Sequence, residues 1–241
     1  AAATPAAAAA SWRVLPVLPR AEYEAFAELG ELSGDHGQYM LGFAQSEADP
    51  DRIYTCQDSG GVWVSLDHGA SWNNLRNRGL YARFTTGIAV DPLDPNRVFV
   101  LTQGGGADAE KHIGLSRSLD GGLSWERVIA NDTSPGRITQ SPVNFAPSSK
   151  DPGLGHATRW YCVIQKTSSR NPSRLPHELH VSDDGGASWR LVRRLASDDF
   201  GSISHLVVDP LDPGRVYLNG GSRALELLDA ADRADEALVR L

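Results

Sequence analysis

Cysteine is almost missing from this 241-residue chain, which carries only Cys56 and Cys162. Two cysteines cannot form a disulfide framework. Both lie in β-rich runs of non-adjacent segments, so they are expected as buried free thiols. Blocks of basic residues are missing too, and the net charge is −7. A surface for nucleic acid needs a Lys/Arg stripe to neutralise phosphates, so no nucleic-acid partner is expected. No apolar run approaches the roughly 18–20 residues of a membrane-spanning helix. The opening AAATPAAAAAS has neither Met nor a charged leading region, so it is not an intact signal peptide. Residues 1–12 read as a low-complexity spacer. Such a spacer fits an exported chain whose signal has been removed, and equally an arbitrary start point. On the first reading the protein is extracellular or periplasmic. Hydrophobic residues make up 41%, enough for a sizeable core.

The chain is full of repetition. SLDHGASW at 65–72 returns as SLDGGLSW at 118–125 and SDDGGASW at 182–189. A second phrase precedes each box or its counterpart: FAQSEADPDRIYT from Phe43, IAVDPLDPNRVFV from Ile88 and LVVDPLDPGRVYL from Leu206, with a degenerate version from Val143. Each unit reads as strand A, an Asp-Pro turn, strand B, a loop, strand C, an Asp-containing turn and strand D. Pro in the A–B turn fits, since it cannot donate within a central strand. Four short antiparallel strands per unit of roughly 40–60 residues predict β-propeller blades. The expected blades are about 36–80, 81–135, 136–199 and 200–221, within one domain over 13–221.

The eight-residue box explains itself as a folding device. Gly69, Gly122 and Gly186 supply the positive φ of a tight turn. Asp67, Asp120 and Asp184 accept hydrogen bonds from turn N–H groups. Trp72, Trp125 and Trp189 open the D strands, where a large ring fills space beside the next strand or blade. A Ca²⁺ loop would need a fuller acidic ligand set ending in a bidentate Glu. No metal site and no cofactor is expected.

Ser-x-Asp-x-Gly-x-Ser-Trp resembles the Asp-box, or BNR repeat, of sialidase-like propellers. Together with VDPxDPxRVY it is similar to the group of xyloglucan-active endoglucanases, sortilin-type ectodomains and photosystem assembly factors. The likeness covers about residues 36–219. After Gly221 no further box follows. The stretch SRALELLDAADRADEALVRL at 222–241 is rich in helix formers and predicts a short helical tail. The expected architecture is therefore all-β, with about three and a half blades of a larger propeller. The remaining blades, or a second propeller, are expected to lie outside this chain.

Antiparallel connectivity sorts the loops by face. A–B and C–D turns share one side, whereas B–C loops and D–A connections share the other. The second side holds the irregular sequence, where binding residues on a rigid scaffold concentrate. It gathers Asp35, His36 and Tyr39; Asp58; Arg78, Tyr81 and Arg83; His112; Arg137; and Arg174. Carboxylates, arginines and tyrosines on one rim suit a polar ligand such as a polysaccharide or glycan, or a protein partner.

Asp58 stands out through the resemblance. In xyloglucan-active endoglucanases an Asp-x-Gly-Gly after the first B strand carries the catalytic base, and Asp58-Ser59-Gly60-Gly61 occupies that place. Ser59 replaces the usual aliphatic residue, and Val62-Trp63-Val64 replaces an aromatic-Arg pair. Inverting hydrolysis also needs a general acid about 6.5–9.5 Å away. In that family the acid comes from a second propeller, and Asp35 is the internal candidate here. HELH at 177–180 is no zinc motif, because His177 and His180 point to opposite faces of a strand. TQGGGAD precedes no helix and so makes no phosphate cradle. His205 reads as an ordinary strand residue. Two functions stay open. One is a glycoside hydrolase with Asp58 as base, and the other is a non-catalytic propeller that recognises a protein or glycan.

Overall fold

A computed structural model of the chain describes residues 39–58, 60–75, 80, 84–103, 113–130, 142–165, 176–196, 203–220, 223–227 and 238–240. These residues form four four-stranded antiparallel sheets in chain order. Blade 1 is β1 (Met40–Gln45), β2 (Ile53–Gln57), β3 (Gly61–Ser65) and β4 (Asn73–Asn74). Blade 2 is β5 (Phe84–Val90), β6 (Val98–Gln103), β7 (Gly114–Ser118) and β8 (Glu126–Ala130). Blade 3 starts with β9 (Val143–Phe145), and a small hairpin of β10 (Lys150–Asp151) and β11 (His156–Ala157) follows. It continues with β12 (Trp160–Ile164), β13 (His177–Ser182) and β14 (Arg190–Leu195). Blade 4 is β15 (Ile203–Val208), β16 (Val216–Gly220), β17 (Arg223–Leu227) and β18 (Leu238–Arg240).

Blade 4 corrects two expectations. The segment 223–227 is no helix: it pairs antiparallel with β16 from Val216↔Leu227 to Gly220↔Arg223, and β18 pairs with it in turn. The fourth blade is thus four strands, not half a blade followed by a helical tail. Helix propensity is a weak prior, a few tenths of a kcal/mol per residue, roughly 0–0.7. An open β16 edge offers a whole row of backbone hydrogen bonds to the next segment.

Three apolar cores lie between successive blades. The two-residue period of a strand decides which core each side chain enters. In β6, Val98 and Val100 face blade 1, whereas Phe99 and Leu101 face blade 3. In β12, Trp160, Cys162 and Ile164 face blade 2, whereas Tyr161 and Val163 face blade 4. A strand buried on both faces must be apolar nearly throughout, which is why VFVL and WYCVI read as continuous hydrophobic runs. Each fully buried aliphatic or aromatic side chain contributes about 1.5–3 kcal/mol. Cys56 and Cys162 are both free and buried. Burial pushes the Cys56 thiol up to about 12 and raises that of Cys162 well above its ordinary value. Neither is a nucleophile at neutral pH.

The C–D turns repeat atom for atom. Ser65 Oγ donates to Asp67 Oδ1 at 2.8 Å and accepts from the Gly69 N–H at 2.7 Å. Asp67 accepts from the Ser71 N–H at 2.8 Å and from its hydroxyl at 2.7 Å. Trp72 Nε1 closes the turn on the Gly69 carbonyl at 3.2 Å. Ser118, Asp120, Gly122, Ser124 and Trp125 make the same set, as do Ser182, Asp184, Gly186, Ser188 and Trp189. Two glycines are required twice over. Gly122 and Gly186 have φ of +93° and +80°, and an added Cβ would lie 2.4 Å from Leu75 Cδ1 and 2.3 Å from Phe99 Cζ, respectively. Each turn therefore seats on a side chain of the preceding blade.

Candidate functional site

The side bearing the B–C loops is built around the end of β2. Asp58 follows that strand and is only 4% exposed. Its N–H donates to the Tyr39 carbonyl at 3.1 Å, and its Oδ1 accepts the Tyr39 N–H at 3.3 Å. This reciprocal pair ties Asp58 to the entry of β1. Tyr39 itself is 67% exposed. The structure thus brings together two residues that sequence analysis had placed on one rim. Asp35, His36, Arg78, Tyr81, Arg83, His112, Arg137 and Arg174 lie outside the described residues.

The Asp58 loop is braced from two sides. Gly60 O accepts Trp63 Nε1 at 3.1 Å and Asn74 Nδ2 at 3.2 Å, both from blade 1. From blade 2, the fully buried Thr85 hydroxyl accepts the Gln57 N–H at 3.0 Å. The same hydroxyl lies 2.6 Å from Gln57 O and 3.1 Å from Gly61 O, both of which can accept its single proton. Gly61 has φ of +74°, which lets the chain turn straight into β3. At the junction of blades 3 and 4, Gln165 does comparable work. Its Nε2 donates to Ile203 O at 2.6 Å and its Oε1 accepts Ile203 N–H at 3.1 Å. Sequence analysis missed both clamps, since a Thr and a Gln at strand ends carry no periodic signal.

HELH falls on β13 with a strand's alternation. His177 is buried, whereas Glu178 and His180 share the other face. Glu178 Oε2 lies 3.4 Å from His180 Nε2, and its Oε1 lies 3.4 Å from Arg194 Nε. The glutamate between the histidines is thus held by a neighbouring His and Arg. Among the described residues no three His, Cys, Asp or Glu side chains gather as metal ligands.

On the opposite side the turn carboxylates lie below the usual carboxylate range. Hydrogen bonds from Ser71 and Ser65 hold Asp67 at about 2. At Asp184 and Asp120 partial burial works upward, but hydrogen bonds from Ser188 and Ser182, and from Ser124 and Ser118, outweigh it. Asp184 falls to about 2. The carboxylates are occupied as structural acceptors and point away from the B–C rim.

No family model matches the chain. It is 31% identical over 176 residues to a probable oligoxyloglucan-reducing end-specific xyloglucanase of Neosartorya fischeri, covering 71% of this chain and 19% of that protein. It is 28% identical over 201 residues to a xyloglucanase of a Paenibacillus species, covering 78% of this chain and 18% of the relative. The chain therefore spans about a fifth of the length of the curated relatives it matches. Among solved structures it is similar to an ancestral GH74 enzyme, with a TM-score of 0.61 and 20% identity over 80% of this chain and 23% of the other. A GH74 xyloglucanase from Xanthomonas campestris gives a TM-score of 0.54 at 21% identity, over 80% and 30%. At these identities the likeness is one of fold: the four sheets pack as propeller blades.

Proposed function

We propose that these blades are the glycan-facing part of an exported propeller that hydrolyses a xyloglucan-type polysaccharide, with Asp58 as general base. The observation that carries the reading is the braced turn at the end of β2. It sets a carboxylate on the B–C side of the first blade, ahead of two glycines that let substrate approach the backbone. The 31% identical relative named a xyloglucanase supports the substrate class. A general base removes a proton from the attacking water, and the partner acid protonates the leaving oxygen across a gap of about 6.5–9.5 Å. On the family resemblance that acid comes from a second propeller beyond these blades; the alternative within this chain is Asp35. The residues proposed to hold the sugar hydroxyls are His36, Tyr39, Arg78, Tyr81, Arg83, His112, Arg137 and Arg174.

Asp58→Asn in the full-length protein tests the assignment against soluble xyloglucan. Loss of the base lowers kcat by about 10²–10⁴-fold with KM little changed. An undiminished rate removes Asp58 from the mechanism. A second reading, a recognition propeller without chemistry, has its own support: Asp58 is nearly buried and its carboxylate already accepts the Tyr39 N–H, as a loop-holding residue does. Under that reading no polysaccharide is cut, while Arg78→Ala and Arg174→Ala weaken binding of a xyloglucan oligosaccharide.

A further inference from the structure

The turn that carries Asp58 is gripped at both ends by one side chain of the next blade. Gln57 ends β2 and Gly61 opens β3. Thr85 Oγ1 accepts the Gln57 N–H at 3.0 Å and lies 2.6 Å from Gln57 O and 3.1 Å from Gly61 O. The hydroxyl therefore spans the whole connection in which Asp58 sits. Thr85 is fully buried, so bulk water does not compete for these bonds. From blade 1, the Tyr39 backbone holds Asp58 itself.

The repeats show what sets this junction apart. Asp58 and Gln165 follow the strand-B arginines, Arg52 and Arg159, at the same distance. Thr85 and Ile203 are equivalent too: each stands in strand A of the next blade, immediately before its bulge. Between blades 3 and 4 the strand-end residue makes the clamp. Gln165 is buried, and its amide both donates to Ile203 O and accepts the Ile203 N–H. A carboxylate cannot replace that amide, because it accepts hydrogen bonds but has nothing to donate to a carbonyl. Between blades 1 and 2 the clamp has changed sides. Thr85 supplies a donor and an acceptor from blade 2, and the strand end carries an acid, whose Oδ1 accepts the Tyr39 N–H. Asp58 with Thr85, against Gln165 with Ile203, is thus an exchange of one clamp for another.

We propose that Thr85 is the positioning residue of Asp58: by gripping the turn from blade 2 it lets the strand end carry a carboxylate and sets where that carboxylate points. The role rests on the reading of Asp58 as general base. A base works only within hydrogen-bond reach of its water, about 2.6–3.2 Å. A misplacement on the order of 1 Å costs about 10²-fold in rate. Thr85 acts through the turn, without touching substrate.

Xyloglucan hydrolysis by the full-length protein tests this, with kcat and KM measured separately and well below each variant's melting temperature. Thr85→Val removes the hydroxyl at nearly constant shape and lowers kcat by ~10–100-fold, with KM within about two-fold of wild type. Thr85→Ser keeps the hydroxyl and stays within about three-fold. Thr85→Cys, with its weak S–H donor, falls between them and carries the test if the valine variant does not fold. In an Asp58→Asn background, Thr85→Val gives no further loss, because its effect runs through the carboxylate. Gln165→Met opens the other clamp and lowers stability with kcat unchanged. An unchanged kcat in Thr85→Val, beside lost activity in Asp58→Asn, overturns the positioning role and leaves Asp58 as the base. Equal losses in the valine and serine variants, a loss that multiplies with Asp58→Asn, or an equal fall in kcat in Gln165→Met overturns it as well. Undiminished hydrolysis by Asp58→Asn overturns the general-base reading itself, and the positioning role falls with it.

Discussion

The two sides of this molecule are built by different rules. On the turn side three boxes repeat one hydrogen-bond set within about a tenth of an ångström, as the 2.8 Å Ser-to-Asp bond of each box shows. On the opposite side each junction is solved once: a threonine hydroxyl clamps blade 1 to blade 2, and a glutamine amide clamps blade 3 to blade 4. The repeated side spends its polar groups on its own backbone, so its carboxylates have little left for a ligand. The individual side keeps its loops free to differ, which is the condition for a site.

Four substitutions or titrations press on that difference, and they rank by expected effect. Gly186→Ala on the turn side combines a left-handed backbone with a clash against Phe99, and costs about 2–5 kcal/mol in urea unfolding. A loss below ~1 kcal/mol means that the turn relaxes and blade 2 does not seat on it. Thr85→Val on the opposite side leaves the Gln57 N–H buried and unpaired, a loss of about 1–3 kcal/mol. Faster hydrogen exchange at the Gln57 amide accompanies it, while Thr85→Ser stays near wild type. Unchanged exchange shows that the clamp is dispensable. Tyr161→Phe removes one inter-blade hydrogen bond, to Pro213 O, and costs about 1 kcal/mol in the same unfolding measurement. An unchanged unfolding midpoint shows that the bond to Pro213 O contributes nothing to holding blade 3 on blade 4.

The smallest effect is in acid. Asp67 and Asp184 titrate at about 2 in the fold, against 3.8 for the free side chain. A depressed carboxylate contributes stability above its unfolded value and loses it as pH falls through the folded one. Stability from the boxes therefore holds above about pH 3.8 and fades towards pH 2. The double variant Asp67→Asn, Asp184→Asn flattens that fall in acid-dependent melting. A slope identical to wild type assigns the acid response to other carboxylates.

Much of the fold was legible beforehand, because repeats and turns are local. Asp-Pro phrases and boxes mark where strands start and stop, and period-two burial follows from the pleat. The error came within the expected helical tail, at residues 223–227, where composition favours helix but the partner that decides is β16, a strand brought alongside by the fold. The site was legible only in part. Asp58 stood out only through the resemblance of Asp58-Ser59-Gly60-Gly61 to a family motif, and its pairing with Tyr39 follows from the β1–β2 hairpin. Thr85 was silent, because its role depends on a loop nearly thirty positions earlier in the chain.

By itself, then, the sequence determined the four-stranded unit, the sidedness of its turns and the glycines on which two of the boxes sit. Each of these rests on backbone sterics and hydrogen bonds among residues near in the chain. Only the tertiary structure decided that residues 223–227 form a strand, which blade each side of β6 and β12 faces, and which residues hold the Asp58 loop. Those outcomes depend on which surfaces the packing of one blade against the next brings into contact, and no stretch of sequence contains both partners.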